Sequence, residues 1–204
     1  GKNYLETIHF TPDIDKKTVV AELSLAAALL ADAEITVRIK TPEAEIVSTN
    51  KFQKGNDKIR ITISIPNPRL WNLEDPYLYE TSISINDDQV KSYFGMRKIS
   101  VMNLPNSNYP YIALNNKPIY LQLTLDQSYH PDGFYTFPTD EFMKNEIKMA
   151  KDIGLNGIRT HIKVDVPRKL YWADKLGLLV MSDLPNAWGE PGEKMQTEAE
   201  YTLR

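Results

Sequence analysis

Up to about residue 101 the apolar positions of this chain recur at every second residue. Val19, Ala21, Leu23 and Leu25 alternate with other residues, as do Ile35, Val37 and Ile39. Ile59, Ile61, Ile63 and Ile65 repeat the pattern, and so do Tyr79, Thr81, Ile83 and Ile85. Such alternation puts one side chain in two on the same face of a strand. Turn signals separate the runs at Thr11-Pro12-Asp13, Lys54-Gly55-Asn56-Asp57 and Asn86-Asp87-Asp88. Short strands at this spacing predict an antiparallel sandwich of roughly 100 residues. The alanine- and leucine-rich stretch from Leu25 to Ala33 reads as a strand end followed by a loop.

After Met102 the rhythm changes. Residues 111–114 and 118–121 predict a hairpin around Asn115-Asn116-Lys117. From Thr139 the period is helical, with Phe142, Met143, Ile147, Met149, Ala150 and Ile153 on one broad face. Thr139 suits an N-cap, Asp140 and Glu141 suit the positive helix end, and Gly154 suits the stop. A short strand is expected around Gly157-Ile158-Arg159-Thr160, then a helix from Pro167 to Leu176 ending at Gly177. Leu178-Leu179-Val180-Met181 reads as a strand buried on both faces. Strand, helix, strand, helix, strand is the rhythm of a parallel sheet or barrel. A (β/α)₈ barrel takes roughly 250 residues, so positions 105–204 supply only its first units. The expected division is a sandwich over 1–102 and a barrel segment over 103–204. The fold class is mostly β with an α/β tail: an immunoglobulin-like antiparallel sandwich followed by the first βα units of an incomplete barrel.

Composition narrows the function classes. A net charge of −3 gives no electrostatic argument for nucleic acid or an anionic membrane, and no apolar run nears the roughly 20 residues of a membrane span. With no cysteine, disulfides, thiolate zinc sites and a cysteine nucleophile are excluded, while the compartment stays open. Gly1-Lys2-Asn3-Tyr4 lacks the start of a signal peptide. The three histidines are too scattered for a metal set, and no glycine-rich phosphate loop occurs, so neither metal nor cofactor is expected.

Four stretches, in this order, resemble glycoside hydrolase family 2, which includes β-galactosidases, β-glucuronidases and β-mannosidases. Leu70-Trp71-Asn72-Leu73-Glu74-Asp75-Pro76-Tyr77-Leu78-Tyr79 resembles the family's tryptophan and "P-x-LY" entry to a late sandwich strand. Tyr93-Phe94-Gly95-Met96-Arg97-Lys98-Ile99 resembles the "FGFRxI" that closes that domain. Leu114-Asn115-Asn116-Lys117-Pro118-Ile119 resembles "LNGKPI", the hairpin before the barrel. Residues 156–161, with Trp172-Ala173-Asp174-Lys175-Leu176-Gly177-Leu178-Leu179-Val180, resemble the "N-x-x-R-x-x-H-Y-P … D-x-x-G-L-x-V" signature. Together they span roughly residues 60–188. There are departures. Arg159 and His161 are one residue closer than usual, Ile162-Lys163 replaces Tyr-Pro, residues 122–127 replace "RGVNxH", and Ser182-Asp183 stands for Asp-Glu.

The resemblance implies a retaining enzyme of β-glycosides, with two glutamates whose carboxyl groups lie roughly 5 to 5.5 Å apart. In the family these follow the fourth and seventh barrel strands, so no acidic residue here is expected to be catalytic, and the segment alone is expected to be inactive. The implied partner is a carbohydrate substrate, and the open barrel surface is expected to self-associate. A rival reading is a non-catalytic carbohydrate-binding or interaction module.

Barrel enzymes carry functional side chains at the C-terminal ends of their strands. That rule selects Asp126 and Gln127 after the first strand, His161 and Lys163 after the second, and Asp183 after the third as substrate-binding candidates. Each has a plainer alternative: loop-start capping for Asp126 and Gln127, a carbonyl contact for His161, solvation for Lys163, a salt bridge for Asp183. Lys163 as a sugar contact would suit a uronate carboxylate. Among aromatics, Tyr129, Tyr135 and Trp188 suit sugar stacking, whereas Trp172, inside a helix, suits core packing. Asn156 and Arg159 are expected to orient the second strand.

Overall fold

The computed structural model describes residues 4–127 and 129–184. The chain forms two compact units, Gly1–Ile119 and Tyr120–Arg204. In the first unit, β1 (Leu5–Asp13), β2 (Thr18–Leu25) and β5 (Lys58–Ser64) form one antiparallel sheet in the order β1-β2-β5. A second holds β4 (Glu45–Phe52), β3 (Ala33–Lys40), β6 (Tyr79–Ile85) and β7 (Asp88–Phe94), in that order. Sheets of three and four antiparallel strands make an immunoglobulin-like sandwich.

The alternating runs form its core. Val19, Ala21 and Leu23 of β2 and Ile59, Ile61 and Ile63 of β5 share one buried cluster with Ile35, Val37 and Ile39 of β3 and Tyr79, Ile83 and Ile85 of β6. Burying each such branched side chain stabilises the fold by about 1.5–3 kcal/mol. The Leu25–Ala33 stretch is a strand end and a loop, as its sequence suggested. Thr11-Pro12-Asp13 is not a turn: it completes β1, and the reversal follows, with Lys17 at φ 54°. Proline is tolerated there because β1 is an edge strand.

The family-like stretches of this unit converge on Trp71, which is 1% exposed. Its N–H donates to the Met96 carbonyl at 3.0 Å, and Gly95 lies under its ring, where a β-carbon would come within 3.3 Å. The Arg97 guanidinium sits 4.6 Å from the ring centroid. Asn115, in the left-handed region at φ 52°, donates from Nδ2 to the Trp71 carbonyl at 2.9 Å and accepts the Lys98 N–H at 3.0 Å. Tyr79 stacks on Phe94, and its hydroxyl accepts the Arg69 N–H at 2.7 Å.

The hairpin of β9 (Pro110–Leu114) and β10 (Lys117–Pro118) pairs with β8 (Ile99–Asn103) in a third sheet of this unit. The hairpin stays with the first compact unit, which ends at Ile119, because β8 and Asn115 bind it to the strands before it.

The second unit opens with parallel strands β11 (Leu123–Asp126), β12 (Gly157–Thr160) and β13 (Leu179–Ser182). Helix α1 (Asp140–Asp152) starts at Thr139, whose side chain accepts the Phe142 N–H, and Gly154 follows its end at φ 89°. Helix α2 (Pro167–Leu176) has proline in its first turn and Gly177 as a left-handed cap. Ile147 and Ala150 of α1 and Ala173 of α2 pack with Ile158 and Leu178. The buried stripe of α1 is Met143, Ile147 and Ala150; Met149 and Ile153 are exposed, so the broad face expected from its sequence is covered on one side only. Likewise β13 is not buried on both faces, since Met181 is exposed.

Candidate functional site at the strand ends

Strand register aligns the C-terminal ends of the parallel sheet. Asp126 pairs with Thr160, and Thr160 with Ser182. The row continues one residue further: His161 N–H donates to the Asp126 carbonyl at 2.9 Å, and Asp183 N–H to Thr160 at 3.1 Å. Gln127, His161 and Asp183 thus form one rim.

Alternation decides which way each side chain leaves the sheet. Ile158, in the helix-side cluster, shares its face with Asp126, Thr160 and Ser182. Leu123, Gly157, Arg159 and Leu179 take the other face; a β-carbon on Gly157 would meet Leu123 Cδ2 at 2.5 Å. Continuing the alternation puts Gln127, His161 and Asp183 on this second face.

Asp126 is therefore turned toward the helices. Its carboxylate binds the ammonium of Lys169, which is 1% exposed. The same ammonium lies 3.3 Å from Glu146 Oε2 and 3.5 Å from Asp165 Oδ2, so three carboxylates from three segments surround one buried cation. Burial alone would lower the Lys169 pKa, but the hydrogen bond and charges of Asp126, Glu146 and Asp165 outweigh it and raise it. Glu146 is raised chiefly by its own desolvation, against the pull of Lys169. Lys163 points the same way: its Nζ is 3.5 Å from Asp165 Oδ1, and Asp165 is buried. Lys163 is thus engaged by a protein carboxylate.

Asp183 is held by Arg159 in a two-pronged ion pair, 2.9 Å for each bond, and accepts the Ile162 N–H at 3.3 Å. The Arg159 hydrogen bond, with a smaller contribution from that N–H, lowers the Asp183 carboxyl below its ordinary range. Asp183 thus makes the salt bridge offered as its plainer alternative. Asn156 orients the strand starts, accepting the Gln122 N–H at 2.8 Å and donating to the Tyr120 carbonyl at 2.7 Å. Gln127 is exposed and His161 half-buried. Trp172 packs against the helix-side cluster and donates its indole N–H to Asp140 at 2.8 Å. Trp188 lies outside the described residues. Lys169 escaped selection by sequence, although Asp165 one helical turn earlier and Ala173 one turn later mark its inward face.

Beside the rim a cavity of about 580 Å³ lies between β11 and α1, lined among others by Leu125, Gln127, Tyr129, Glu146 and Lys169. Among the described residues no group of side chains could hold a metal ion, and no helix is long and apolar enough to cross a membrane.

Comparison with known proteins gives this geometry a context. Residues 3–97 match the model of Glycosyl hydrolases family 2, a match that reaches into the N-terminal strands where no motif was read. A β-galactosidase of Pseudoalteromonas haloplanktis is 28% identical over 89% of this chain and 19% of its own length. A putative β-glucuronidase of Formosa agariphila is 22% identical over 87% of the chain and 17% of its own. The chain thus spans about a fifth of the length of the curated relatives it matches. Among solved structures, a β-glucuronidase of Parabacteroides merdae superposes with a TM-score of 0.77 at 21% identity, over 99% of this chain and 26% of that one. A family 2 β-galacturonidase of Eisenbergiella tayi, bound to galacturonate, gives 0.74 at 21% identity, over 100% and 36%. The chain thus matches glycosyl hydrolase family 2 in sequence over residues 3–97 and shares its fold along nearly its whole length with these solved structures.

Proposed function

We propose that residues 120–184 are the opening βα units of a (β/α)₈ barrel, serving a protein that hydrolyses the O-glycosidic bonds of β-glycosides. The rim carries this reading: three parallel strands end in one register, with Gln127, His161 and Asp183 on the face away from the helices. A barrel turns that face inward and uses its strand C-termini as the active-site floor.

On this reading Gln127 and His161 hydrogen-bond sugar hydroxyls, while Asp183 and Arg159 hold the rim in shape. Asp126, Lys163 and Lys169 lie behind it as a charged joint between sheet and helices. The acid/base and nucleophile of a retaining mechanism come from strands other than these three. The segment binds and orients; it does not cleave.

The test is kinetic and uses the longer polypeptide that contains this segment. Replacing His161 by Ala should lower kcat/KM on an aryl β-glycoside by roughly 2–4 kcal/mol of transition-state stabilisation, with folding intact. Unchanged kinetics in that variant would return His161 to an ordinary loop role. No turnover of any β-glycoside by the parent would refute the assignment as a whole.

A further inference from the structure

The segment between β11 and α1 exposes three large aromatic side chains side by side. Tyr129 is 59% exposed, Phe134 62% and Tyr135 73%. They form a cluster: the Tyr129 ring stands edge-on to Phe134 at 6.3 Å and to Tyr135 at 5.7 Å between centroids. Water-exposed aromatic surface of this size is costly and marks a contact site more often than an accident of folding.

The turn that carries them is constrained. His130 and Phe134 exchange backbone hydrogen bonds at 2.9 and 2.7 Å, and Thr136 closes on the Gly133 carbonyl with both its N–H and its hydroxyl. A β-carbon at Gly133 would lie 2.1 Å from the Thr136 carbonyl oxygen, so only glycine permits this closure. Phe134 sits at φ 54°, a left-handed conformation that a bulky residue adopts at a cost, of the kind that collects at binding sites. His130 is anchored edge-on to Phe142 of α1, 4.7 Å between centroids. The backbone thus accepts strain while the aromatic faces are held out to solvent.

We propose that Tyr129, Phe134 and Tyr135 form a stacking platform for a pyranose ring. This deepens the glycosidase reading and rests on it for the choice of sugar over other apolar ligands. Pyranoses present a flat C–H face that packs on an aromatic ring, and two of the three rings also carry a hydroxyl to meet the sugar's polar rim. The platform begins two residues past Gln127, in the segment that follows β11. Tyr129 also lines the cavity beside β11 and joins the platform to it.

Saturation-transfer NMR on this 204-residue chain, with lactose and methyl β-D-glucuronide as probes, tests the platform without requiring turnover. A failed glycosidase assay on the parent and a failed titration here are therefore separate results. Saturation is expected on the C–H face protons of the sugar ring. Tyr135→Leu should weaken binding roughly two- to tenfold, and Tyr135→Trp should retain it. Circular dichroism guards against misfolding, and Phe134→Leu repeats the test at a second ring. Absence of saturation in the unaltered chain, or binding by both Leu variants as tight as that of the unaltered chain, overturns the proposal and leaves a merely apolar patch.

Discussion

The ammonium of Lys169 is buried against the carboxylate of Asp126, joining the last residue of β11 to the first turn of α2. Glu146 and Asp165 complete the cluster from α1 and from the loop before α2. Removing the cation would leave three clustered carboxylates, Asp165 fully buried among them, without their counter-charge, and an unpaired buried charge costs more than a lost contact. Lys169→Met should destabilise the unit that contains it by roughly 3–5 kcal/mol near neutral pH. Without the lysine the Glu146 carboxyl, already raised by burial, loses the charge that lowers it and rises further above its unfolded value. The folded state then binds protons more tightly, and part of the loss is recovered as pH falls toward 5. Denaturant titrations at pH 8 and pH 5 check this. A loss equal at both would show that the cluster is not electrostatic in origin.

Asp140 supplies a pH dependence of the opposite sign. Its carboxylate accepts two bonds from Arg168, at 2.6 and 2.8 Å, and one from the Trp172 indole at 2.8 Å. These contacts, Arg168 first, hold its pKa down to about 2. A depressed carboxyl contributes stability that is present above its unfolded pKa of 3.8 and is lost as pH falls toward 2. Asp140→Asn should flatten the stability–pH curve between pH 4 and pH 2 and change its slope little above pH 5. An unchanged acid slope would assign that loss to other groups.

Asn115 joins three of the family-like stretches through its bonds to Trp71 and Lys98. Ala at this position would remove both bonds and strain a backbone at φ 52°. Asn115→Ala should destabilise the first unit by roughly 2–3 kcal/mol. Asn115→Gly should recover the backbone share alone, a difference that thermal unfolding resolves.

The outer edge of β11 and the face bearing Leu125 and Met181 lack a covering layer within the described residues, and both side chains are over two-fifths exposed. Open edges and apolar faces recruit partners. The 204-residue chain should therefore self-associate, with an apparent mass in light scattering that rises with concentration, and it should not turn over aryl β-glycosides. A strictly monomeric chain would contradict the first expectation; activity that survives repurification would contradict the second.

Much of the fold was legible because period two and the capping residues are local signals. Val19 to Leu25 and Ile59 to Ile65 had to share faces, and Thr139, Gly154 and Gly177 ended helices where their chemistry allows. The candidate site was legible only in part. The position rule found the rim but not its two faces, so Asp126 was grouped with Gln127, although it has the parity of Thr124, which pairs with the inward Ile158. Lys163 suggested an anion in the substrate because its protein anion, Asp165, is recognisable only once the loop before α2 folds over. Met181 seemed doubly buried because an apolar run does not reveal whether a second layer is present.

The central claim is that Gln127 and His161 face a sugar while Asp126 faces the helices. A crystal structure of the longer polypeptide with a bound, unhydrolysed β-glycoside analogue tests it most directly. Polar atoms of Gln127 and His161 should lie within about 3 Å of sugar hydroxyls, with Asp126 still on Lys169. A sugar more than a water's width from both residues, or one bound by Asp126 with Lys169 released, would contradict it.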